Sequence, residues 1–169
     1  RLANMPQPVL AAIHGYAVGA GLVIATASDL RYATPAARFG APMARTLGNC
    51  LSQKNYQRLS LALGPMRTKE LLFTSRLLSA EEALQCGFLT AIIDEDHLFT
   101  RVFEIANQIS ALAPLTIWAT REAFKHINNG DKSGASAFDD ILARVYGSHD
   151  FAEGVQAHME KRSPTWRGY

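Results

Sequence analysis

Between Ala11 and Gly40 this 169-residue chain places glycines at 15, 19 and 21. They follow the apolar run Val9-Leu10-Ala11-Ala12-Ile13 and precede the small-residue series Leu22 to Ala27. That order predicts a buried strand, a tight turn and a helix start. Only a residue without a Cβ turns the backbone so sharply or lets another molecule approach it closely. The first amides of a helix have no partner within it, and their end of the helix favours negative charge. Such a corner can hold an oxyanion. The same glycines would also allow a helix to pack closely on a strand, and the residues alone leave both readings open.

Groups that move protons are scarce nearby. From Ala11 to Lys69 the only carboxylate is Asp29, which reads as a turn residue between a helix and a strand. Arg45, Thr46, Asn49, Cys50, Ser52 and Gln53 come next. Asn49 and Ser52 suit the orienting of a water or an acyl group, and equally the capping of a helix that starts there. Arg45 suits a carboxylate or a phosphate. Cys50 with His14 would make a nucleophile and base, but no third group orients them. Cys50 reads better as a small buried hydrophobe, and His14, on an apolar strand, as a satisfied core side chain. His97, His126, His149 and His158 are scattered over helical surfaces without metal-ligand spacing, so no metal is expected.

Short strands and helices must position these residues, and longer helices follow. Leu2 to Met5 reads as a helix tail cut by Pro6 and Pro8. Val9 to Ile13 is apolar on both alternating faces, as a strand inside a layered structure should be. Leu22 to Ala27 reads as a helix, Asp29 to Ala33 as a strand, and Phe39 to Pro42 as a second strand-to-helix turn. Ser52 to Leu63 is a helix ending at Gly64, and Pro65 opens the next. Ser79-Ala80-Glu81-Glu82 forms a capping box for a helix that stops at Gly87. Phe88 to Ile93 reads as a strand. An amphipathic segment runs from Asp94 to Leu112, with Phe99, Val102, Ile105, Ile109 and Leu112 as its apolar face. Pro114 to Asn128 follows, broken by Asn129-Gly130-Asp131, and then Ser136 to Tyr146 and Asp150 to Lys161. The expected class is α/β.

A set of ordered motifs carries a family resemblance. Pro8-Val9 through Gly15-Tyr16-Ala17, Gly19-Ala20-Gly21, Ser28-Asp29 and Arg38-Phe39-Gly40-Ala41-Pro42 come first. Gln57-Arg58-Leu59 with Gly64, Ser79 to Ala83 with Gly87, and Glu153-Gly154 with Glu160-Lys161-Arg162-Ser163-Pro164 follow in the same order. Together they resemble the signature of the crotonase superfamily, the enoyl-CoA hydratases and isomerases, over essentially the whole chain. The resemblance implies a partial crotonase-like ββα spiral core over residues 1–93 and an all-helical trimerisation region over residues 94–169. It also implies assembly as a trimer or dimer of trimers. About a hundred further residues are expected ahead of Arg1, within an ordinary domain size, so that an isolated 169-residue product would be inactive or misassembled.

The resemblance also assigns roles. A thioester carbonyl would sit against two backbone N–H groups as an enolate forms; one donor matches Ala20, flanked by Gly19 and Gly21, and the other lies in the upstream part. Coenzyme A thioester is the implied substrate, with no permanently bound cofactor. Family hydratases use two glutamates as acid and base, and the matching positions here hold Val23 and Met43, neither able to transfer a proton. Two-glutamate hydration is therefore not expected, and reactions leaning on the oxyanion pocket, such as decarboxylation, fit better. Lys161 matches a lysine that reaches the CoA of a neighbouring subunit. His158 stands where relatives often carry an aromatic residue. A non-catalytic acyl-CoA-binding or structural subunit is the competing reading.

Other classes fit poorly. A formal net charge of +2 with scattered basic residues argues against a nucleic-acid partner. No apolar run approaches the ~20 residues of a membrane span. Cys50 and Cys86 are expected as free thiols in a reducing compartment, the cytoplasm or, in a eukaryote, the mitochondrial matrix. A dinucleotide fingerprint would need a glycine about three residues after Gly21 and an acid about twenty further on; Ile24 occupies the first position and no acid the second.

Overall fold

Two successive ββα passages open the chain. The first is β1 (Leu10–Ile13), β2 (Tyr16–Val18) and α1 (Ala20–Thr26); the second is β3 (Leu30–Ala33), β4 (Arg38–Gly40) and α2 (Met43–Thr46). The computed structural model describes residues 2–129 and 135–169, so part of the Asn129-Gly130-Asp131 break lies outside the described residues. Each passage sends its two strands into different sheets. One sheet has the order β1-β3-β6, with β6 at Ala91–Ile92 and all pairs parallel. The other has the order β2-β4-β5, with β5 at Leu78–Ser79; β2 and β4 are parallel, β4 and β5 antiparallel. After β1 the chain changes direction at Gly15 (φ 71°); after β3 it does so in a turn closed by Ala37 N–H donating to Thr34 O at 3.0 Å. This repeat is the expected α/β spiral.

The remaining elements are α3 (Gln53–Leu63), α4 (Pro65–Thr74), α5 (Ala80–Gln85), α6 (Leu98–Ser110), α7 (Pro114–Asn129), α8 (Ala135–Tyr146) and α9 (His149–Glu160). Short 3-10 turns cover Leu2–Asn4 and Glu95–His97. Contacts divide the chain into two compact units, Arg1–Met5 with Val9–Ile105, and Pro6–Pro8 with Ala106–Tyr169.

In the first unit the core gathers Leu22, Phe39, Leu59, Leu71, Leu78 and Phe88, all essentially inaccessible, with alanines at 17, 25, 33, 37 and 41 between them. Small residues let short strands and helices approach each other without voids. Phe39 and Phe88 meet edge to face at 5.3 Å between ring centres, an arrangement that contributes about 0.5–1.5 kcal/mol beyond burial. Arg31 closes this core at one side. Its guanidinium lies 4.7 Å over the Phe88 ring and donates to the carbonyls of Phe88 (2.5 Å) and Ser28 (2.8 Å).

Gly40 shows how tightly β4 is held. A Cβ there would run into the Leu77 side chain and stand 3.1 Å from the Arg76 carbonyl oxygen. The leucine tip can turn away, but the backbone oxygen cannot. Gly40→Ala is expected to lose about 1–3 kcal/mol of stability, measurable as a lowered denaturation midpoint with an unchanged slope.

Helix ends match their local chemistry. Ser79 accepts from Glu82 N–H (3.2 Å) while Glu82 accepts from Ser79 N–H (2.9 Å); Pro65 opens α4 directly after Gly64. Three expectations need correction. His14 is not a core residue: it is exposed and meets Glu95 at 2.8 Å. Phe88 to Ile93 is not one strand, because the Phe88 and Leu89 amides donate to Ala83 O (2.9 and 3.1 Å) in the turn after α5, leaving Ala91–Ile92 to pair with β3. The buried stripe of α6 is Leu98, Val102 and Ile105, packed with Tyr32, Leu10 and Leu30, whereas Phe99 is 61% exposed. One residue of offset rotates a helical stripe by about 100°.

In the second unit, α7, α8 and α9 carry Trp118 under the Arg144 guanidinium at 4.5 Å and a C-terminal tail folded back on α9.

Candidate functional site

Both parallel strands β2 and β4 end side by side, Val18 opposite Gly40, and each is followed at once by a helix. Ligands in open α/β sheets bind outside the carboxyl ends of such strands. Gly19 makes the corner with φ 57° and ψ −113°, a conformation in which a side chain would be strained. Its N–H donates to Gly40 O at 2.8 Å, and its carbonyl takes the first helical bond from Val23 N–H at 3.2 Å. No side chain caps α1. The Ala20 amide therefore stands at an exposed position without a hydrogen-bond partner among the described residues.

Val23 lies three residues on, on the same face of α1 as Ala20, and is half-buried. Met43 starts α2 after Pro42 and packs against the core. Gly21 lies within α1 and has open space where a Cβ would go. Val23 and Met43 are both apolar side chains with no proton to transfer. Thr26 Oγ1 is spent on Val23 O at 2.7 Å, and Thr46 Oγ1 on Pro42 O at 3.0 Å. Arg45 and Asn49 are exposed, and so is Cys50, which corrects its expected reading as a small buried hydrophobe. Ser52 caps α3, accepting from Asn55 N–H at 3.4 Å, the structural one of its two readings.

Lys161 belongs to the second unit. It ends α9 in the left-handed conformation, φ 53°, and its ammonium is exposed and unpaired among the described residues. Arg162 beside it is clamped, donating to Glu153 Oε1 (2.7 Å) and Oε2 (2.9 Å) and to Glu160 Oε2 (2.6 Å). Glu153 Oε1 also accepts Thr165 N–H at 2.8 Å. Asp150, buried, accepts Arg167 N–H (2.7 Å) and Gly168 N–H (2.9 Å). Trp166 is thereby laid over Gly154, beside an apolar groove of about 340 Å³ whose lining includes Phe151, Val155, His158 and Met159. Asp150 and Glu153 hold this tail in place, a role that sequence reading does not give them although Glu153 stands in one of the quoted motifs; their spacing of three on one helix face, ahead of Arg162, is the available signal.

The Arg162 guanidinium, followed by the Thr165 amide, holds the Glu153 carboxyl down from an ordinary 4.5 to about 2. A depressed carboxylate stabilises the fold above its unfolded value, and that contribution is lost as pH falls through the folded one. The tail is therefore expected to stay docked at neutral pH and to loosen between about pH 4.5 and 2, read as a change in tryptophan fluorescence that Glu153→Gln should abolish, its signal being that of the loosened tail already at neutral pH.

A two-sheet ββα spiral with a glycine corner at its strand ends, and a separate helical unit, defines the crotonase class. The chain belongs to the enoyl-CoA hydratase/isomerase family, whose model matches residues 1–169. It is 36% identical over 172 aligned positions to carnitinyl-CoA dehydratase of Proteus mirabilis, covering 99% of this chain and 66% of that protein. It is 33% identical to the short-chain-enoyl-CoA hydratase of Clostridium acetobutylicum, covering 96% and 62%. A crystal structure of an enoyl-CoA hydratase/isomerase family protein from Hyphomonas neptunium superposes with a TM-score of 0.91 at 30% identity, covering 99% of this chain and 64% of that one. The chain thus spans about two thirds of the length of the relatives it matches.

Proposed function

We propose that this chain carries the acyl-CoA-binding part of an enoyl-CoA hydratase/isomerase-type enzyme, with the Ala20 N–H as one donor to the thioester oxygen. The free amide of Ala20 at the Gly19 corner is the observation that carries this reading. When a bond to the carbon next to the carbonyl breaks, its electron pair moves into the carbonyl and charge grows on that oxygen. A donor already aimed there contributes about 2.7–4 kcal/mol to the transition state. Coenzyme A thioester enters as substrate, with no resident cofactor, and the working form is a trimer or dimer of trimers. Lys161 is assigned to the CoA phosphates.

Val23 and Met43 shape the reaction. Without a carboxylate at either place, loss of carbon dioxide from an α-carboxyl group suits the site better than water addition. Carbon dioxide leaves without the help of a base, the electron pair of the broken carbon–carbon bond rests on the thioester oxygen as the enolate, and solvent water then gives a proton to the α-carbon. These same two residues also favour a second reading, a subunit that binds acyl-CoA without turnover. Full-length protein incubated with a panel of acyl-CoAs, followed by thioester absorbance and binding heat, separates the two. Product formation supports the enzyme, heat without product supports the binding subunit, and neither signal rejects both.

A further inference from the structure

Lys161 and Ser75 are the non-glycine residues with positive φ among the described residues. A helix ending in this way commonly places glycine at the left-handed position, because a side chain there is strained. A lysine held in such a conformation needs surroundings that enforce it, and backbone outliers of this kind gather at functional sites. The enforcement is visible on both sides of Lys161. Its own N–H donates to His158 O at 3.3 Å, and Arg162 N–H reaches back to Ala157 O at 3.0 Å. The next side chain, Arg162, is gripped by both oxygens of Glu153 and by Glu160. Glu153, only 13% exposed, in turn fixes the tail through Thr165 N–H. Arginine's planar fork on a carboxylate sets direction as well as distance. Among the described residues Lys161 has no acidic partner, whereas its neighbour Arg162 has two.

We propose that Glu153 is a positioning residue: through Arg162 it locks the left-handed turn at Lys161 and so aims the lysine ammonium at a phosphate of the CoA thioester. The proposal rests on the reading of Lys161 as a phosphate ligand. Both oxygens of Glu153 are spent on Arg162 and Thr165, so its removal is expected to act on affinity through the placement of Lys161.

The test measures acetyl-CoA binding by calorimetry to the full-length assembled protein, beside S-acetyl-pantetheine, which lacks the phosphates. Lys161→Ala is expected to weaken acetyl-CoA binding about fivefold, as for an exposed charge pair, and to leave S-acetyl-pantetheine unaffected. Glu153→Gln should weaken acetyl-CoA binding by a similar factor, and the double variant Glu153→Gln/Lys161→Ala no more than either alone. Arg162→Lys, which keeps the charge but loses the fork, should reproduce the effect if Glu153→Gln folds poorly. Should Lys161→Ala weaken binding while Glu153→Gln and Arg162→Lys lower only the melting temperature, positioning is refuted and the phosphate reading survives. Should Lys161→Ala change nothing, the phosphate reading itself fails and the proposal with it.

Discussion

Ala20→Pro is expected to lower thioester turnover about 10²–10³-fold while leaving the fold intact, because it deletes one N–H and little else. Ala20 is the first residue of α1, where proline is well tolerated, and no bond among the described residues depends on its amide. The test is turnover by the full-length protein, with circular dichroism and oligomeric state as controls. Ala20→Gly, which keeps the N–H, should stay within a few-fold of the parent. Equal loss in both variants would mean that the corner acts through its shape, and unchanged turnover in Ala20→Pro would remove the amide from the reaction.

Installing acids should produce an effect of the opposite sign. Val23→Glu/Met43→Glu restores carboxylates at the places where hydratases of this family are expected to carry them, and acid–base groups contribute about 10²–10⁴-fold. Crotonyl-CoA hydration is expected to rise from background toward that factor in the double variant. Single variants should gain far less, since water needs both a base and an acid. Both positions are half-buried, and Met43 packs on the core, so some stability should be lost. A stable, folded double variant that binds acetyl-CoA without hydrating crotonyl-CoA would show that Val23 and Met43 do not face the substrate.

Legibility from sequence divided along the line between local and non-local physics. Ser79 with Glu82, Gly64 with Pro65, and Ser52 are helix-end chemistry complete within a few residues, and they stand where that chemistry puts them. The strand β2 is barely visible beforehand. It is three residues long, begins with Tyr16 at 74% exposure, and exists because β4, more than twenty residues on, pairs with it. His14 reads as interior because its strand is apolar, yet its partner Glu95 is 81 residues away. Of the candidate site, the glycine corner is legible, whereas its tether to Gly40 O is not. The tail docked on Asp150 and Glu153 is equally hidden, since only the folded helix turns both carboxylates toward it.

The corner at Gly19 is wired entirely through main-chain atoms: one amide is held by the Gly40 carbonyl and the next is left free. No side chain enters that wiring. An exchange of acid for hydrocarbon at residues 23 and 43 therefore leaves those main-chain bonds in place, whatever it costs in packing. Under the proposed role of the Ala20 amide, such an architecture lets evolution rewrite which bond is broken while retaining the place where charge is received, so that divergent reactions need few substitutions.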